Sequence, residues 1–117
     1  MNILFKNRRL EKLCNNFNKL VKKYGNKRAK IIIRRLSELK AMENLGVARK
    51  LPQLRCHELK GDRKGELAVD LDHPYRLIFT VAQEPIPVKD DGGLDWEKVH
   101  SIKILEIEDY HGKHRKK

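Results

Sequence analysis

The sequence predicts an α+β domain in which two amino-terminal helices pack on one face of a small, mostly antiparallel β-sheet. Two observations predict this fold class. Apolar residues in the first part of the chain recur at steps of three and four, as in amphipathic helices. After Leu51-Pro52 the period changes to the alternation that is typical of strands, with turn signals between the segments. The order of a strand, two helices and a run of strands indicates an α+β domain.

The first half of the chain predicts one short strand and a helical hairpin. Asn2 to Phe5 is a short apolar run that basic residues follow at once. A helix is expected near residues 7–24, ended by Gly25-Asn26, and a second helix is expected near residues 27–45. Basic residues separate the apolar positions of the second helix, so the hairpin should have a positive outer face. These residues are Arg28, Lys30, Arg34, Arg35 and Lys40.

The second half predicts strands, which with the first strand give a sheet of four or five. The expected segments are residues 55–59, 66–72, 75–82 and 99–107, the last apolar on both faces as in an interior or bulged strand. Residues 84–97 contain two prolines, an acidic pair and Gly92-Gly93, and predict a long loop that Trp96 can pin to the body. The helices should cover one face of the sheet and leave the other face free.

The composition predicts one domain with an ionic surface and a polyanionic partner. The chain has 117 residues, of which 39% are hydrophobic and 37% are charged. We expect residues 1–111 to form a single domain and the basic tail, residues 112–117, to fray. Lys plus Arg number 27 against 16 Asp plus Glu, and the excess lies in residues 1–60. The alternative explanation is a merely basic protein with solvated helix faces.

Targeting signals and cofactor motifs are not found in the sequence. No signal-peptide pattern and no run of roughly 20 apolar residues occurs, so we expect a cytoplasmic protein without a membrane partner. Neither Cys14 nor Cys56 has a metal-ligand spacing, and both are predicted to be apolar packing residues without a disulfide. No glycine-rich phosphate loop or serine nucleophile pattern occurs, and we predict no cofactor and no metal.

Three segments, in chain order, resemble the RelE/ParE superfamily, and most closely its HigB-type killer proteins. They are His57 to Gly65, Pro74 to Phe79 and Glu108 to His111. The resemblance extends over nearly the whole chain, although the amino-terminal helices match only in pattern. It implies a RelE-like fold and the toxin of a toxin–antitoxin pair, an endoribonuclease that cleaves messenger RNA on the ribosome and inhibits translation. The implied partners are the ribosome, messenger RNA and a HigA-like helix-turn-helix antitoxin.

The resemblance also implies a set of site residues for metal-independent cleavage. Attack by the ribose 2′-oxygen on phosphorus needs a proton acceptor, cations for the phosphorane and a donor for the leaving 5′-oxygen. Histidine exchanges protons near neutral pH, arginine holds phosphate in a fork and lysine acts as a point charge. The matching positions are His57, Lys60, Arg76, Asp109, Tyr110 and His111.

Roles within this set are predicted as follows. His111 is the favoured proton-transfer group, Asp109 orients or charges it, and Tyr110 contributes its hydroxyl or stacks on a base. Arg63 and Lys64 are predicted to contact the RNA backbone rather than to catalyse.

The strand phase and several structural alternatives bear on these roles. Arg76 shares its phase with Ile78 and Thr80, which predicts that it points to the open face of the sheet. Arg76 can instead pair with Asp70 or Asp72 across neighbouring strands, and Tyr110 can simply cover the sheet end. The remaining histidines are expected to be uninvolved surface residues. They are His73, His100 and His114.

Two alternative functions stay open. One is a ParE-like inhibitor of DNA gyrase, against which the Asp109-Tyr110-His111 ending argues, since an inhibitor needs no proton-transfer set. The other is a basic RNA-binding or regulatory module without catalysis. The acidic loop at residues 84–97 departs from the family pattern and can shape access to the cleft or contact the antitoxin.

Overall fold

The computed structural model of the protein describes residues 1–109, which form an α+β fold with five strands and three α-helices. The strands are β1 (Asn2–Phe5), β2 (His57–Glu58), β3 (Glu66–Asp70), β4 (Tyr75–Val81) and β5 (Ser101–Asp109). The helices are α1 (Arg8–Cys14), α2 (Phe17–Tyr24) and α3 (Asn26–Ala41). Short 3₁₀ turns occupy Leu45–Lys50, Pro52–Leu54, Gly61–Arg63 and Trp96–Lys98.

The first predicted helix, near residues 7–24, is two helices, so the prediction of a single helix is wrong. Asn15 ends α1, and the side chain of Asn16 accepts a hydrogen bond from the Lys19 amide at 3.1 Å, which starts α2. Asparagine side chains favour such caps over helix interiors, and two in succession break the helix although the apolar period continues across them.

The second predicted helix begins as expected but ends earlier than residue 45. Gly25, at a φ of 88°, separates α2 from α3 as the sequence indicated. The α3 helix stops at Ala41 because Met42 is extended and buried, and the chain then turns toward Leu45, whose amide bonds the Val99 carbonyl at 3.0 Å. No helix in residues 1–109 is long and apolar enough to cross a membrane.

The prediction of four or five mostly antiparallel strands is confirmed. The five strands have the order β1-β5-β4-β3-β2, and only the β1–β5 pair is parallel. The second strand is shorter than the predicted residues 55–59, because Arg55 adopts the left-handed conformation at a φ of 44° and closes the preceding 3₁₀ turn. The last strand lies inside the sheet, between β1 and β4, and its register with β4 shifts between Ile78 and Phe79. Apolar residues on both faces of this segment had indicated an interior or bulged strand.

The hydrophobic core lies between the helices and one face of the sheet, which confirms that part of the prediction. Alternate residues of β3, β4 and β5 point into it and meet the apolar faces of α2 and α3. The fully buried members include Leu20, Ala29, Ile32, Leu39, Leu67, Val69, Leu77, Phe79, Ile102 and Ile104.

The segment at residues 84–97 is more ordered than the predicted loop. Val88 and Leu94 form an antiparallel bridge, and the Asp95 amide bonds the Pro87 carbonyl at 3.0 Å, so the segment folds back as a small hairpin. Trp96 is buried, and the Arg49 guanidinium lies 3.9 Å from the centre of its ring. The expectation that Trp96 pins this segment to the body is confirmed.

Both cysteines are packing residues without a disulfide partner, as predicted. Cys14 is buried and Cys56 is half-buried against the core. Burial raises the pKa of the Cys14 thiol to about 11. Burial also raises the pKa of the Cys56 thiol to about 12, against a smaller lowering by the charge of Arg49. Both thiols are therefore protonated and weakly nucleophilic near neutral pH.

Candidate functional site

The second face of the sheet, away from the helices, carries polar side chains in rows that cross the strands. Arg76 in β4 lies between Asp70 in β3 and Glu108 in β5. His57 in β2 lies beside Ala68, in the next row. Paired residues of neighbouring strands share a face, so Arg76 and His57 both point away from the core, as the strand phase of Arg76 predicted.

A pocket at the end of this face brings His57 and Arg76 together, and we call it the edge pocket. Its volume is about 410 Å³. Arg55 and His57 form the wall on one side, and the turn between β3 and β4 with Arg76 forms the rest. The eight described residues that line it are Arg55, His57, Asp70, Leu71, His73, Pro74, Tyr75 and Arg76.

The main chain of Arg55 fixes the ring of His57. The Nδ1 atom of His57 lies 2.7 Å from the Arg55 carbonyl oxygen. Because a carbonyl can only accept a hydrogen bond, Nδ1 carries the proton and donates it. In the neutral imidazole, Nε2 is then the nitrogen that can accept a proton. The left-handed backbone of Arg55, which shortened β2, turns its carbonyl toward this ring.

Arg76 is largely buried and binds a carboxylate of the neighbouring strand. Its Nε donates to the Glu108 Oε1 at 2.7 Å, and its side chain is 15% exposed. The sequence alternative named Asp70 or Asp72 as the partner of Arg76, whereas the carboxylate that its Nε binds is Glu108 of β5. Asp72 is instead bound by Arg28, whose Nε donates to both carboxylate oxygens at 3.0 and 3.1 Å.

Arg63 lies at the centre of a group of carboxylates, which we call the Arg63 cluster. Its nitrogens lie 2.8 Å from Glu66, 2.5 Å from Glu106 and 3.6 Å from Glu108. Burial lowers the pKa of the Arg63 guanidinium. The hydrogen bond to Glu106 and the charges of all three glutamates together raise this pKa by more than burial lowers it, so the net shift is upward. Glu108 is 5% exposed, and of residues 1–109 it is the one buried charged side chain.

The Arg63 cluster covers the middle of the face that was predicted to be free. Glu66 belongs to β3 and Glu106 to β5, so the guanidinium between them lies across β4. Ile78 of β4 is fully buried although it points away from the core. The second face is thus closed at its centre and open at the edge pocket, and an RNA contact by Arg63, still a prediction, would compete with these ion pairs.

The other predicted residues lie outside the edge pocket or outside the described residues. Lys60 is exposed just beyond β2 and is not among the residues that line the pocket, and Lys64 is exposed at the end of the next 3₁₀ turn. Asp109 pairs with Tyr75, so it lies on the opposite face of the sheet from Arg76. Tyr110 and His111, like the tail at residues 112–117, lie outside the described residues.

Two residues of the pocket wall were not predicted to belong to the site. Arg55 stands two positions before His57, but its left-handed backbone, which turns its carbonyl to the His57 ring, was not marked by the sequence. His73 was expected to be uninvolved, and it is exposed, but it also lines the pocket from the β3–β4 turn. Its position only three residues before Arg76, in a turn signalled by Asp72 and Pro74, was the available clue.

The predicted positive outer face of the helices is confirmed at Lys30, Arg34 and Lys40 and is wrong at two positions. Arg28 and Arg35 are half-buried, because their side chains bind Asp72 and the Asp70 carbonyl of the sheet. The α2–α3 junction adjoins the edge pocket, because Arg28 stacks on Tyr75 at 3.8 Å from the ring centre and also holds Asp72. The exposed basic residues of α2 and α3 are Lys19, Lys22, Lys23, Lys27, Lys30, Arg34 and Lys40. Residues 1–109 contain no group of three or more His, Cys, Asp or Glu that could hold a metal ion.

No protein-family model matches this chain, and no curated protein matches it significantly. The function is therefore inferred from the residues and their arrangement.

Proposed function

We propose that the protein is a HigB-type toxin of the RelE/ParE superfamily, an endoribonuclease that cleaves messenger RNA on the ribosome and inhibits translation. One observation carries the proposal: His57 and Arg76, both named by the sequence resemblance, line the same pocket. The coarser fold, with helices on one face of a mostly antiparallel sheet, agrees with a RelE-like fold.

The chemistry begins at His57. Its Nδ1 is bound to the Arg55 carbonyl, so Nε2 accepts the proton of the ribose 2′-hydroxyl as the 2′-oxygen attacks phosphorus. Arg76 stabilises the negative charge of the phosphorane, and Glu108 holds its Nε so that the guanidinium is oriented before RNA binds. Such a fixed donor needs little reorganisation in the transition state.

The leaving 5′-oxygen needs a proton donor, and His111 is proposed for this role. Asp109 and Tyr110 support it, by charge and by a hydroxyl or stacking contact. Lys60 contributes a positive charge from outside the pocket, and Lys64 contacts the RNA backbone. His111→Gln should impair cleavage and leave ribosome binding largely intact, because the substitution removes a titratable group and little positive charge.

The partners follow from the charge distribution. The exposed basic helices suit the ribosome and messenger RNA, and they also suit an acidic or amphipathic segment of a HigA-like antitoxin. Co-expression with the product of the neighbouring gene should yield a complex that survives purification. Failure to form any complex at low salt would count against the toxin–antitoxin assignment.

The decisive experiment is primer extension on cellular messenger RNA after induced expression. Wild-type protein should give new 5′ ends and arrest growth, whereas His57→Gln should give neither, because glutamine cannot accept the 2′ proton. Lys98→Ala is the control, since Lys98 is an exposed residue of the Trp96–Lys98 turn, outside the edge pocket and outside the basic helices. Growth arrest with intact transcripts and inhibited gyrase would overturn the proposal in favour of a ParE-like inhibitor.

The Arg63 cluster favours a second candidate function, a basic RNA-binding or regulatory module without catalysis. Carboxylates bind both Arg63 and Arg76, which lowers the positive potential that a phosphate would meet on this face. In that case the wild-type protein would bind RNA through its helices and release it uncut.

A further inference from the structure

We propose that Arg55 and His73 bind a phosphate of the RNA strand at the edge pocket and so form, with Arg76, its phosphate-binding set. This inference rests on the proposed function, since it takes single-stranded RNA as the ligand. Neither residue belongs to the set that the family resemblance names, and both line the pocket beside His57 and Arg76.

The size and lining of the edge pocket suit a phosphate with its sugar. Its volume of about 410 Å³ lies within the range of small-ligand pockets, roughly 300–1,000 Å³. Its two arginines and His73 carry nitrogen donors that can bind a phosphate, against a single carboxylate at Asp70. Leu71, Pro74 and Tyr75 add apolar surface against which a sugar or a base can lie. A charge-rich pocket with an apolar wall matches a nucleotide unit better than a bare anion.

Arg55 is the arginine of this face that can most readily change partners. Its Nη1 lies 3.5 Å from Asp70, and its side chain is 72% exposed. An ion pair that is so exposed is screened by water and salt and is weak. A phosphate can therefore replace Asp70 at Arg55 at small cost, whereas the largely buried Arg63 is committed to three carboxylates.

His73 approaches the pocket from a turn that is held in place on both sides. The Leu71 amide bonds the Tyr75 carbonyl at 3.0 Å, and the Tyr75 amide bonds the Asp72 carbonyl at 2.8 Å. Arg28 then anchors the Asp72 carboxylate to α3. The turn therefore holds His73 at the pocket that Arg55 also lines, without first having to be ordered by the ligand.

The test measures binding without cleavage. A short single-stranded 2′-O-methyl RNA has no 2′-hydroxyl to attack and reports affinity alone. Arg55→Asn removes the guanidinium, and asparagine tolerates the left-handed backbone that holds His57. His73→Gln removes the second contact. Each variant should bind about tenfold more weakly than wild type, the equivalent of roughly 1.4 kcal/mol.

The salt dependence gives a second, independent readout. Loss of one phosphate contact should lower the slope of log affinity against log salt by about 0.7 in Arg55→Asn. Lys98→Ala, which removes the same charge from an exposed position outside the edge pocket and the basic helices, measures the general effect of one cation. Circular dichroism and thermal melting of both variants exclude a folding defect as the cause.

The outcomes separate this inference from the proposed function. If Arg55→Asn and His73→Gln bind like Lys98→Ala with the same slope, the inference is wrong even where wild-type protein cuts RNA. If both weaken binding but wild-type protein never cuts RNA, the phosphate-binding set stands and the nuclease proposal fails. Binding of an acidic peptide, but not of the 2′-O-methyl RNA, at the edge pocket would overturn the inference in favour of a protein ligand.

Discussion

The Arg63 cluster and the edge pocket lie on the same face of the sheet, and both contain arginines beside carboxylates. The arginine of the cluster is held by its partners, whereas Arg55 of the pocket remains accessible. In the cluster, three carboxylates surround a largely buried guanidinium and bind it from both sides of β4. In the pocket, an exposed guanidinium at Arg55 meets one carboxylate, that of Asp70, at 3.5 Å. Burial and the number of partners therefore decide whether an arginine stabilises the fold or stays available to a ligand.

Removal of Arg63 should have the largest effect on stability. Arg63→Met keeps the volume of the side chain but leaves Glu66 and Glu106 without their cation and removes one of the two cations beside Glu108, at a cost of about 1–3 kcal/mol. Urea unfolding measures this loss. Lys64→Met, at the exposed neighbouring position, is the control and should change stability by less than about 0.5 kcal/mol. Equal stabilities of the two variants would remove the distinction between cluster and pocket.

Removal of Arg76 should affect activity as well as stability, because Arg76 belongs to both regions. It binds Glu108 of the cluster and lines the pocket. Arg76→Ala should remove roughly 2–4 kcal/mol of transition-state stabilisation, by analogy with loss of an oxyanion donor. Growth arrest and messenger RNA cleavage in a translating extract should fall together. A folded Arg76→Ala protein that still cuts RNA at the wild-type rate would show that the site assignment is wrong.

Loss of the Arg28–Asp72 contact, which anchors the turn between β3 and β4, should have a smaller effect on stability. Arg28→Lys keeps the charge but loses the paired bonds to Asp72 and the stacking on Tyr75, which should cost about 1 kcal/mol. Thermal melting would detect this loss. The control is Arg34→Lys, on an exposed position of the same helix. If the two variants melt alike, the turn is held by its own backbone bonds and not by Arg28.

The smallest effect on stability near neutral pH is expected from the ionisation of the Cys56 thiol. Cys56 lies between Arg55 and His57 in the sequence but packs against the core. Burial raises its pKa to about 12, from 9.0 in the unfolded chain, so the folded state prefers the protonated thiol. The resulting stability is complete below pH 9 and is lost as the pH rises toward 12. Burial also raises the pKa of the Cys14 thiol, so both proteins compared carry Cys14→Ala to remove its contribution. Urea unfolding at pH 7 and pH 10 then compares Cys14→Ala with the double variant Cys14→Ala/Cys56→Ala. The double variant should lose less stability across that interval, and an identical loss would contradict the burial of the Cys56 thiol against the core.

Local signals predicted the elements of this fold well, whereas contacts between distant segments escaped sequence analysis. The change of period at Pro52, the Gly25 turn and the alternation of β3 and β4 each arise from neighbouring residues. The break at Asn15-Asn16 was missed because the apolar period continues across it, although asparagine is a common helix-capping residue. The Arg63 cluster joins residues that are more than 40 positions apart, and no short pattern encodes such a pairing.

The difference between local signals and contacts of distant segments also explains how much of the candidate site was predicted. The resemblance named His57 and Arg76, and the phase of β4 predicted the face on which Arg76 lies. The carboxylate that binds Arg76 comes from β5, whose register is set by a bulge that the sequence indicated but could not locate. Arg55 was missed because its role depends on a left-handed backbone that few sequence signals mark outside glycine and asparagine.

The place of β5 in the sheet has a consequence for how the chain reaches its native state. β5 separates β1 from β4, and its first residue, Ser101, pairs with Asn2 at the other end of the described chain. The helices and the β3–β4 hairpin can form from local contacts as soon as their residues are synthesised. β1 has no partner until β5 emerges, so completion of the sheet must be a late event that closes a loop of nearly the whole chain. During translation, the apolar side of the helices therefore stays incompletely covered until the last strand has been made.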